Sequence, residues 1–488
     1  MRITRATLAL VIWLIPTSGA VATDTAMLTA AGRAAGVERA TAAASASSPA
    51  SVQLAYDRAR GMREALRAAG AVSATCQAYG GWAVRFAEAS TAIADGYDRL
   101  SPTRVRAART AAAAARSKMR STRSACRAGS SPVVKPPPTL REPRPGAAFF
   151  GQMIARRPTG ATSAELVIGG RVVGPLQLRS DGTAWARLVA APGRYDLQVR
   201  FRRDGRVIAT ARSSRVWLLP TSARHSVQPA TASSALQSRL RAAAGRFNGI
   251  SGIWVHDLES GVAGSWNAGA KFPAASTVKL GVMVEAMRRT GVRPEQSPLA
   301  VDIASIGGWS SNLAPNRLMN AIGGPSGAQA GLARLGAVNS TYPGNYIVAT
   351  AAPPVTTVNQ PPLRTGRVTT AADMGRAITT IHRAARGESA ALSATGMTVA
   401  QARLLLGNLL SAQAEADNIG IVRQGFAAAI PVAQKHGWIS NTRNSVAIAF
   451  APRGPVVVVV LTNHSGLTRA QAAALGSDVV RAITETAG

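Results

Sequence analysis

The sequence predicts a multidomain protein whose C-terminal half is an α/β three-layer sandwich, preceded by an α-helical domain and a small β-sandwich. In residues 23–129 apolar residues recur at helical spacing, and in residues 147–228 they alternate with polar residues as in β-strands. Residues 229–488 contain stretches of both patterns. A proline-rich stretch separates the first two regions. With 488 residues, 47% of them hydrophobic, the chain is long enough for more than one core.

Residues 1–22 read as a secretory signal peptide. Arg2 and Arg5 precede the apolar run LALVIWLI, and a small-residue cleavage site follows at Ala20-Val21-Ala22. The apolar run is too short for a stable transmembrane helix. We therefore expect cleavage near Ala22 and a secreted or extracytoplasmic protein, in a periplasm or cell wall.

Residues 23–129 are rich in alanine and arginine and predict a helical domain, as in SVQLAYDRARGMREALRAAG and TRVRAARTAAAAARSKM. Its two cysteines, Cys76 and Cys126, are the only ones in the chain. An even pair in an exported protein favours a disulfide, and two free buried thiols are the alternative. Residues 130–146 are a proline-rich linker, expected to be extended.

Residues 147–228 predict an Ig-like β-sandwich. In RYDLQVRF the apolar side chains fall on one face of a strand and the polar ones on the other. Asp181-Gly182 and Asp204-Gly205 supply hairpin turns. No chemistry is evident in this stretch, so it is interpreted as a spacer or wall-binding module.

Residues 229–488 form the mixed region. The stretch ALQSRLRAAAGRF predicts a helix, and GIWVHDL and GSWNAGAKF predict paired strands. A long helical middle follows, then the strands AQKHGWIS, SVAIAFAP and PVVVVVLTN and the helix TRAQAAALGSDVVRAITE. Helices at both ends of an antiparallel sheet, with a helical insertion, make an α/β sandwich with an active site at the junction.

The formal charge of +33 invites a nucleic-acid interpretation. The arginines are spread over every segment, however, and no zinc-finger or RNA-binding signature occurs. We expect no specific nucleic-acid partner and instead a basic surface that attracts anionic wall polymers or membrane surfaces. The cysteines and five scattered histidines show no metal-ligand spacing, so no metal site is expected, and no cofactor fingerprint is present.

The stretch FPAASTVKLGVMVEAMRR places Ser276 three residues before Lys279. It predicts a helix with Ser276 in the first turn, where the two side chains share a face and the helix dipole disfavours an ammonium. Burial disfavours the ammonium further, so the lysine can act as a base toward the serine. Only five of the 56 basic residues are lysines, and Lys279 alone among them follows a serine at this spacing. Arginine cannot deprotonate, so the retained lysine is informative.

Two further motifs follow in order: Ser310-Ser311-Asn312 at the head of a helical segment, and Lys435-His436-Gly437 on a predicted strand. The structural alternatives are helix caps for the first and a strand-edge charge for the second. With these three motifs, residues from about 240 to 485 resemble the penicillin-recognising serine hydrolases. Within that group they are most similar to the class A β-lactamase-like domain. These enzymes carry the motifs S-x-x-K, S-x-N and a K-T-G-type triplet in this order.

The resemblance implies a role for each matching residue. Ser276 is the acylated nucleophile, Lys279 its base, and Ser310 relays a proton to the leaving nitrogen. Asn312 holds the substrate amide, and Lys435, with His436 and Gly437, attracts the substrate carboxylate. The backbone N–H groups of Ser276 and Trp438 form the oxyanion hole.

The sequence also departs from the family pattern. Class A enzymes deacylate with a glutamate on a loop between the second and third motifs, but no aspartate or glutamate lies between Asn312 and Asp373. Glu415 and Asp417 come later and are expected to cap or turn. His436 replaces a hydroxyl residue, and the short interval from Ser276 to Ser310 predicts a trimmed helical subdomain and a more open cleft.

Three functional hypotheses follow. The first is an exported serine hydrolase that forms an acyl-enzyme on Ser276 with β-lactams or D-alanyl peptides, turning over slowly because the deacylating glutamate is missing. The second is a penicillin-binding D,D-peptidase-like enzyme. The third is a non-catalytic wall-binding or sensor protein that retains the fold.

Overall fold

The computed structural model describes residues 24–69, 76–99, 101–126, 140–224, 226–346, 366–412 and 419–487. The predicted signal peptide and most of the predicted linker lie outside these residues. The chain forms two compact units. One is drawn from Met1–Ala43, Ala55–Ile93 and Arg106–Lys135, and the other from Ala44–Leu54, Ala94–Val105 and Pro136–Gly488. No described helix is both long enough and apolar enough to cross a membrane.

The described residues of the N-terminal region form five α-helices. They are α1 (Asp24–Ala31), α2 (Ala34–Ala43), α3 (Pro49–Ala69), α4 (Gln77–Asp98) and α5 (Pro102–Thr122). In α3 the side chains of Ala55, Ala59 and Met62 are buried at helical spacing. A disulfide joins Cys76 to Cys126, confirming the predicted pairing over two free thiols.

Nine strands follow α5 and form two sheets around one core. They are β1 (Leu140–Glu142), β2 (Ala148–Phe149), β3 (Gln152–Arg156), β4 (Ser163–Ile168), β5 (Arg171–Pro175), β6 (Gln177–Leu178), β7 (Thr183–Arg187), β8 (Gly193–Arg203) and β9 (Arg206–Leu218). The sheet orders are β1-β3-β7-β6 and β2-β9-β8-β4-β5. Both sheets contribute to the same apolar cluster, for example through Met153 and Val199.

Two local predictions for this region, a strand and a turn, have definite outcomes. The alternation in RYDLQVRF is confirmed, because Leu197, Val199 and Phe201 are buried. Asp204 and Gly205 have positive φ values of 48° and 75°, as a two-residue hairpin turn between β8 and β9 requires. Within the predicted linker, residues 140–142 form strand β1, which pairs with β3.

The C-terminal region contains a six-stranded sheet in the order β10-β12-β11-β17-β16-β15. Its strands are β10 (Thr231–Ala232), β11 (Ile250–Asp257), β12 (Val262–Trp266), β15 (Val432–Ile439), β16 (Thr442–Ala451) and β17 (Gly454–Asn463). A separate pair joins β13 (Phe272–Pro273) to β14 (Val368–Thr369). The stretch GSWNAGAKF is therefore not one strand: the chain turns at Asn267, whose φ is +44°.

Helices cover both faces of this sheet. They are α6 (Ser234–Arg246), α7 (Lys279–Met287), α8 (Ala300–Trp309), α9 (Leu313–Ile322), α10 (Gly324–Arg334), α11 (Ala371–Arg386), α12 (Ser389–Thr395), α13 (Val399–Leu410) and α14 (Arg469–Ala487). In β17, Val457 and Val459 join the cluster that contains α7 and α11. Val458 and Val460 join the cluster that contains α6 and α14. Alternate residues of one strand thus face two helical layers, which is the predicted three-layer arrangement.

Candidate active site

Ser276 lies, half-buried, in a tight turn that leads into α7. The prediction that it occupies the first turn of the helix is wrong, because α7 begins at Lys279. The intervening bonds span three residues: Lys279 N–H donates to Ser276 O over 3.3 Å, and Leu280 N–H donates to Thr277 O over 3.2 Å. Such bonds wind the chain more tightly than an α-helix, so the regular ladder starts later.

Lys279 is fully buried and surrounded by oxygen acceptors. Its Nζ donates to Ser310 O at 2.7 Å, to Ser311 O at 2.8 Å and to the Asn312 Oδ1 at 2.6 Å. These three bonds match the three donors of an ammonium group. The amine of the first motif therefore holds the whole second motif in place.

The charge state of Lys279 is set by opposing influences. Burial lowers the pKa of Lys279 well below its usual range, and the positive charges of Lys435 and Arg367 lower it further. The carboxylate of Asp98 acts in the opposite direction and raises this pKa. The net shift of the Lys279 pKa is downward, which is the direction that a base for Ser276 requires.

The second motif adopts a conformation that directs its three residues differently. Ser310 ends α8 with a left-handed backbone, φ +62° and ψ +34°. Its hydroxyl accepts from Lys435, whereas Ser311 Oγ accepts from Ala314 N–H at 3.0 Å. Ser310 is the C-cap residue of α8 and Asn312 the N-cap residue of α9, as the helix-cap alternative expects. The Asn312 side chain makes no cap bond, however, and contacts Lys279 instead.

Lys435 reaches the site from β15, the edge strand of the six-stranded sheet. Its Nζ lies 2.6 Å from Ser310 Oγ and 2.5 Å from His436 O. Burial lowers the pKa of Lys435 to about 7. Because the side chain is fully buried, the interpretation as a solvated strand-edge charge is wrong.

The same strand passes close to the nucleophile. A Cβ added to Gly437 would lie only 2.6 Å from Ser276 N and 2.9 Å from Thr277 N, so only glycine fits here. Trp438 follows, with its side chain 42% exposed. The neighbouring His436 is buried, and its Nδ1 contacts Asn444 O at 2.7 Å. The structure thus brings all predicted site residues to one place, the meeting of the α7 turn, the 310–312 loop and β15.

Sequence reasoning missed Asn444, which ties the two sides of the site together. Its Nδ2 donates to Pro273 O at 2.8 Å, and its Oδ1 accepts from Thr462 N–H at 3.1 Å. The residue lies in β16, directly opposite Gly437. It therefore anchors the segment before Ser276 to the sheet.

Tyr346 is a second residue that the sequence did not reveal. Lys279 Nζ lies 4.1 Å from the centroid of its ring, and its hydroxyl donates to Ala275 O at 2.9 Å. The Arg367 guanidinium lies 4.0 Å from the centroid of the same ring. Burial raises the pKa of Tyr346, so it stays a neutral donor.

A third missed residue is Asp98, at the end of α4. Asn312 N–H donates to its Oδ1 at 3.0 Å and to its Oδ2 at 3.2 Å. Burial raises the pKa of Asp98, although the bonds from Ser311 and Asn312 and the Lys279 charge oppose this shift. No sequence signal distinguished it from an ordinary polar residue at a helix end.

Asp373, the first acidic residue after Asn312, contacts a loop, and the two acidic residues predicted to cap or turn lie outside the described residues. Asp373 is buried and accepts from Asn339 N–H at 2.7 Å and Ser340 Oγ at 2.8 Å, so it anchors the loop before β14. Glu415 and Asp417 lie outside the described residues. Among the described residues, no group of histidine, cysteine or acidic side chains could hold a metal ion.

Comparisons with known proteins concern the same half of the chain. Residues 235–292 and 303–487 match the family model of the β-lactamase enzyme family. One similar solved structure is an ancestral class A β-lactamase, GNCA, which is 22% identical in sequence. The alignment covers 51% of this chain and 99% of that chain, and the TM-score is 0.42. Another is the β-lactamase from Desulfarculus baarsii DSM 2075, which is 19% identical. Here the alignment covers 51% of this chain and 97% of that chain, and the TM-score is 0.41. No curated protein matches the sequence.

Proposed function

The C-terminal half of the chain belongs to the class A β-lactamase-like superfamily, and on that premise we propose that the protein is a serine hydrolase that forms an acyl-enzyme on Ser276. Its substrates are β-lactams or the D-alanyl peptides that they resemble. One observation carries the proposal: two buried lysines, Lys279 and Lys435, flank Ser310 beside Ser276 in a chain whose other basic residues are almost all arginine.

Acylation follows from the roles of these groups. The Ser276 Oγ attacks the carbonyl carbon while its proton passes to the neutral amine of Lys279. Negative charge develops on the carbonyl oxygen, toward which the N–H groups of Ser276 and Trp438 would donate. When the carbon–nitrogen bond breaks, Ser310 gives its proton to the leaving nitrogen and takes up the proton that Lys279 received from Ser276, so that both groups return to their starting state. Lys435, in contact with Ser310 Oγ, stabilises the negative charge that develops on that oxygen during the relay.

Substrate binding would use the open side of the site. The protonated form of Lys435 attracts the carboxylate that β-lactams and D-alanyl peptides share, and Asn312 pairs with the substrate amide. The half-exposed indole of Trp438 offers an apolar surface at the edge strand.

Deacylation is the slow step in this proposal. A hydrolytic water needs a base, and losing a positioned base typically costs about 10²- to 10⁴-fold in rate. Residues 313–372 include no aspartate or glutamate. This observation also supports the second candidate, a penicillin-binding D,D-peptidase-like enzyme that holds a β-lactam as a lasting adduct.

The decisive experiment incubates the full mature chain with a chromogenic penicillin and follows colour and intact mass together. A lasting adduct that peptide mapping places on Ser276 supports the peptidase-like enzyme, and many turnovers without an adduct support the β-lactamase. Ser276→Ala should abolish both signals. Neither signal in wild type, together with no release of D-alanine from a D-alanyl-D-alanine peptide, would leave the non-catalytic wall-binding or sensor protein.

The rest of the chain has proposed roles that accompany this activity. We propose export through the N-terminal signal, which N-terminal sequencing of protein from the culture medium or cell envelope would test by showing a start near Thr23. The helical domain and the β-sandwich would act as spacers or as sites for anionic wall polymers, to which the charge of +33 is suited.

A further inference from the structure

Asp98 holds the second-motif loop from a part of the chain that lies outside the family-matched residues. It is the last residue of α4, 137 positions before the matched region begins at residue 235. Residues 94–105 nevertheless belong to the same compact unit as the site. The family-matched segment alone therefore lacks one group that contacts its own second motif.

The last residue of α4 and the residue after it contact the second-motif loop at two points. Both carboxylate oxygens of Asp98 accept from Asn312 N–H, at 3.0 and 3.2 Å. The next residue, Arg99, places its guanidinium carbon 3.9 Å from the centroid of the Trp309 ring. Trp309 and Asn312 bracket the two serines of the motif, so the end of α4 holds both ends of this loop.

The loop needs such support because its backbone is strained. Ser310 has a positive φ of 62°, which a residue with a Cβ adopts at a cost and keeps only where the surroundings enforce it. Lys279 Nζ donates to the carbonyls of Ser310 and Ser311. The carboxylate of Asp98 accepts from the amide of Asn312. The loop is thus held through two carbonyls by Lys279 and through one amide by Asp98.

We propose that Asp98 is a positioning residue for acylation: it fixes the Ser310–Asn312 loop and stabilises the ammonium that Lys279 becomes when it takes the proton of Ser276. This inference rests on the proposed acylation of Ser276. The proton balance is unchanged, since the Ser276 hydroxyl proton moves to the Lys279 Nζ and the Asp98 carboxylate takes part in no proton transfer. Asp98 acts through these groups and need not touch the substrate.

The electrostatics of Lys279 make this role measurable. Asp98 raises the pKa of Lys279, whereas burial, Lys435 and Arg367 lower it. Tyr346, whose ring lies against the amine, stays neutral because burial raises its pKa. Removing the Asp98 charge should therefore lower the pKa of Lys279.

The test uses the full chain with Asp98→Asn, which keeps an acceptor and removes the charge, and Asp98→Ala, which removes both. Glu88→Gln is the matched control, because the Glu88 carboxylate pairs with Arg63 at 3.0 Å in the other compact unit. Acylation by a fluorescent penicillin is timed from pH 5 to 9. We expect Asp98→Ala to slow acylation about 10-fold or more, and Asp98→Asn to move the acidic limb of the profile to lower pH.

A second readout requires no substrate. Labelled lysine gives only five signals in this chain, and Lys279→Arg identifies the one from Lys279. The proposal expects a lower titration midpoint of Lys279 in Asp98→Asn than in wild type and no change in Glu88→Gln. Equal midpoints, or an Asp98→Asn variant that alters deacylation alone, would overturn it. If wild type forms no acyl-enzyme, the proposed function fails, while the titration still decides whether Asp98 acts on Lys279.

Discussion

The two buried lysines of the site occupy surroundings of different kinds. Lys279, on α7, donates to three oxygens, lies over an aromatic ring and feels the carboxylate of Asp98. Lys435, on the edge strand β15, contacts Ser310 Oγ and a backbone carbonyl. Burial lowers the pKa of both, but only Lys279 has an anion that favours the ammonium.

The different surroundings of Lys279 and Lys435 indicate different roles in the reaction. An amine whose pKa is lowered by burial and whose ammonium form is stabilised by an anion suits a base, because it must accept a proton and hold it during the reaction. An amine whose pKa lies at about 7 and which contacts a hydroxyl suits a charge that attracts a carboxylate and assists proton relay. The two lysines are thus not equivalent. Two experiments test this distinction directly, and two more test the contacts that hold the Ser276 segment against the strands around Lys435.

The largest effect is expected from exchanging each lysine for arginine. Lys279→Arg replaces the base with a guanidinium that stays protonated and cannot accept the Ser276 proton, so acylation should fall about 10²- to 10⁴-fold. Lys435→Arg keeps the charge that its role needs and should cost only about 10-fold. Acylation by a fluorescent penicillin measures both, with the exposed Lys118→Arg as control. Equal losses in the two variants would end the distinction between base and charge.

The next effect concerns the contact between β15 and the Ser276 turn. In Gly437→Ala the new Cβ would meet Ser276 N at 2.6 Å, so the strand must move away from the nucleophile. Loss of one oxyanion donor typically costs about 10²- to 10³-fold in kcat. Gly269→Ala is the control, because a Cβ there meets nothing within 4 Å. Unchanged acylation in Gly437→Ala would place the oxyanion hole elsewhere.

A smaller effect is expected from Asn444, which couples the Ser276 segment to the sheet that carries Lys435. Asn444→Ala leaves Pro273 O and Thr462 N–H without their side-chain partner. Each buried group left unsatisfied typically costs about 1–3 kcal/mol of stability. Urea unfolding should show this loss, whereas Asn320→Ala on the exposed side of α9 should change stability little. A stable Asn444→Ala variant with normal acylation would mean that this anchor is dispensable.

The smallest effect is a pH dependence that belongs to Lys435. Its pKa of about 7 means that the amine is charged below this pH and loses its charge as the pH rises. The second-order rate constant for acylation by a carboxylate-bearing substrate should therefore decline, by less than about 10-fold, above pH 7. In Lys435→Arg this decline should disappear, since arginine stays protonated. The same decline in both proteins would assign it to another group.

Much of the fold follows from local pattern. The alternation in β8, the hairpin at Asp204-Gly205 and the apolar run of β17 each specify a strand through neighbouring residues alone. The boundary errors have local causes as well: a left-handed turn at Asn267 splits one predicted strand, and three-residue bonds delay the start of α7. The positions of the predicted domain boundaries stay a prediction.

In the candidate site, too, some residues could be predicted from local sequence and others could not. The sequence by itself determined the ordered motifs around Ser276, Ser310 and Lys435, because each motif is a few adjacent residues with distinctive chemistry. Only the tertiary structure decided that Asp98, Tyr346 and Asn444 complete their surroundings. Asp98 is 214 positions from its partner Asn312, and Asn444 is 171 from Pro273. Contacts at such separations leave no periodicity in the sequence, since they depend on which chain segments the packed core brings together.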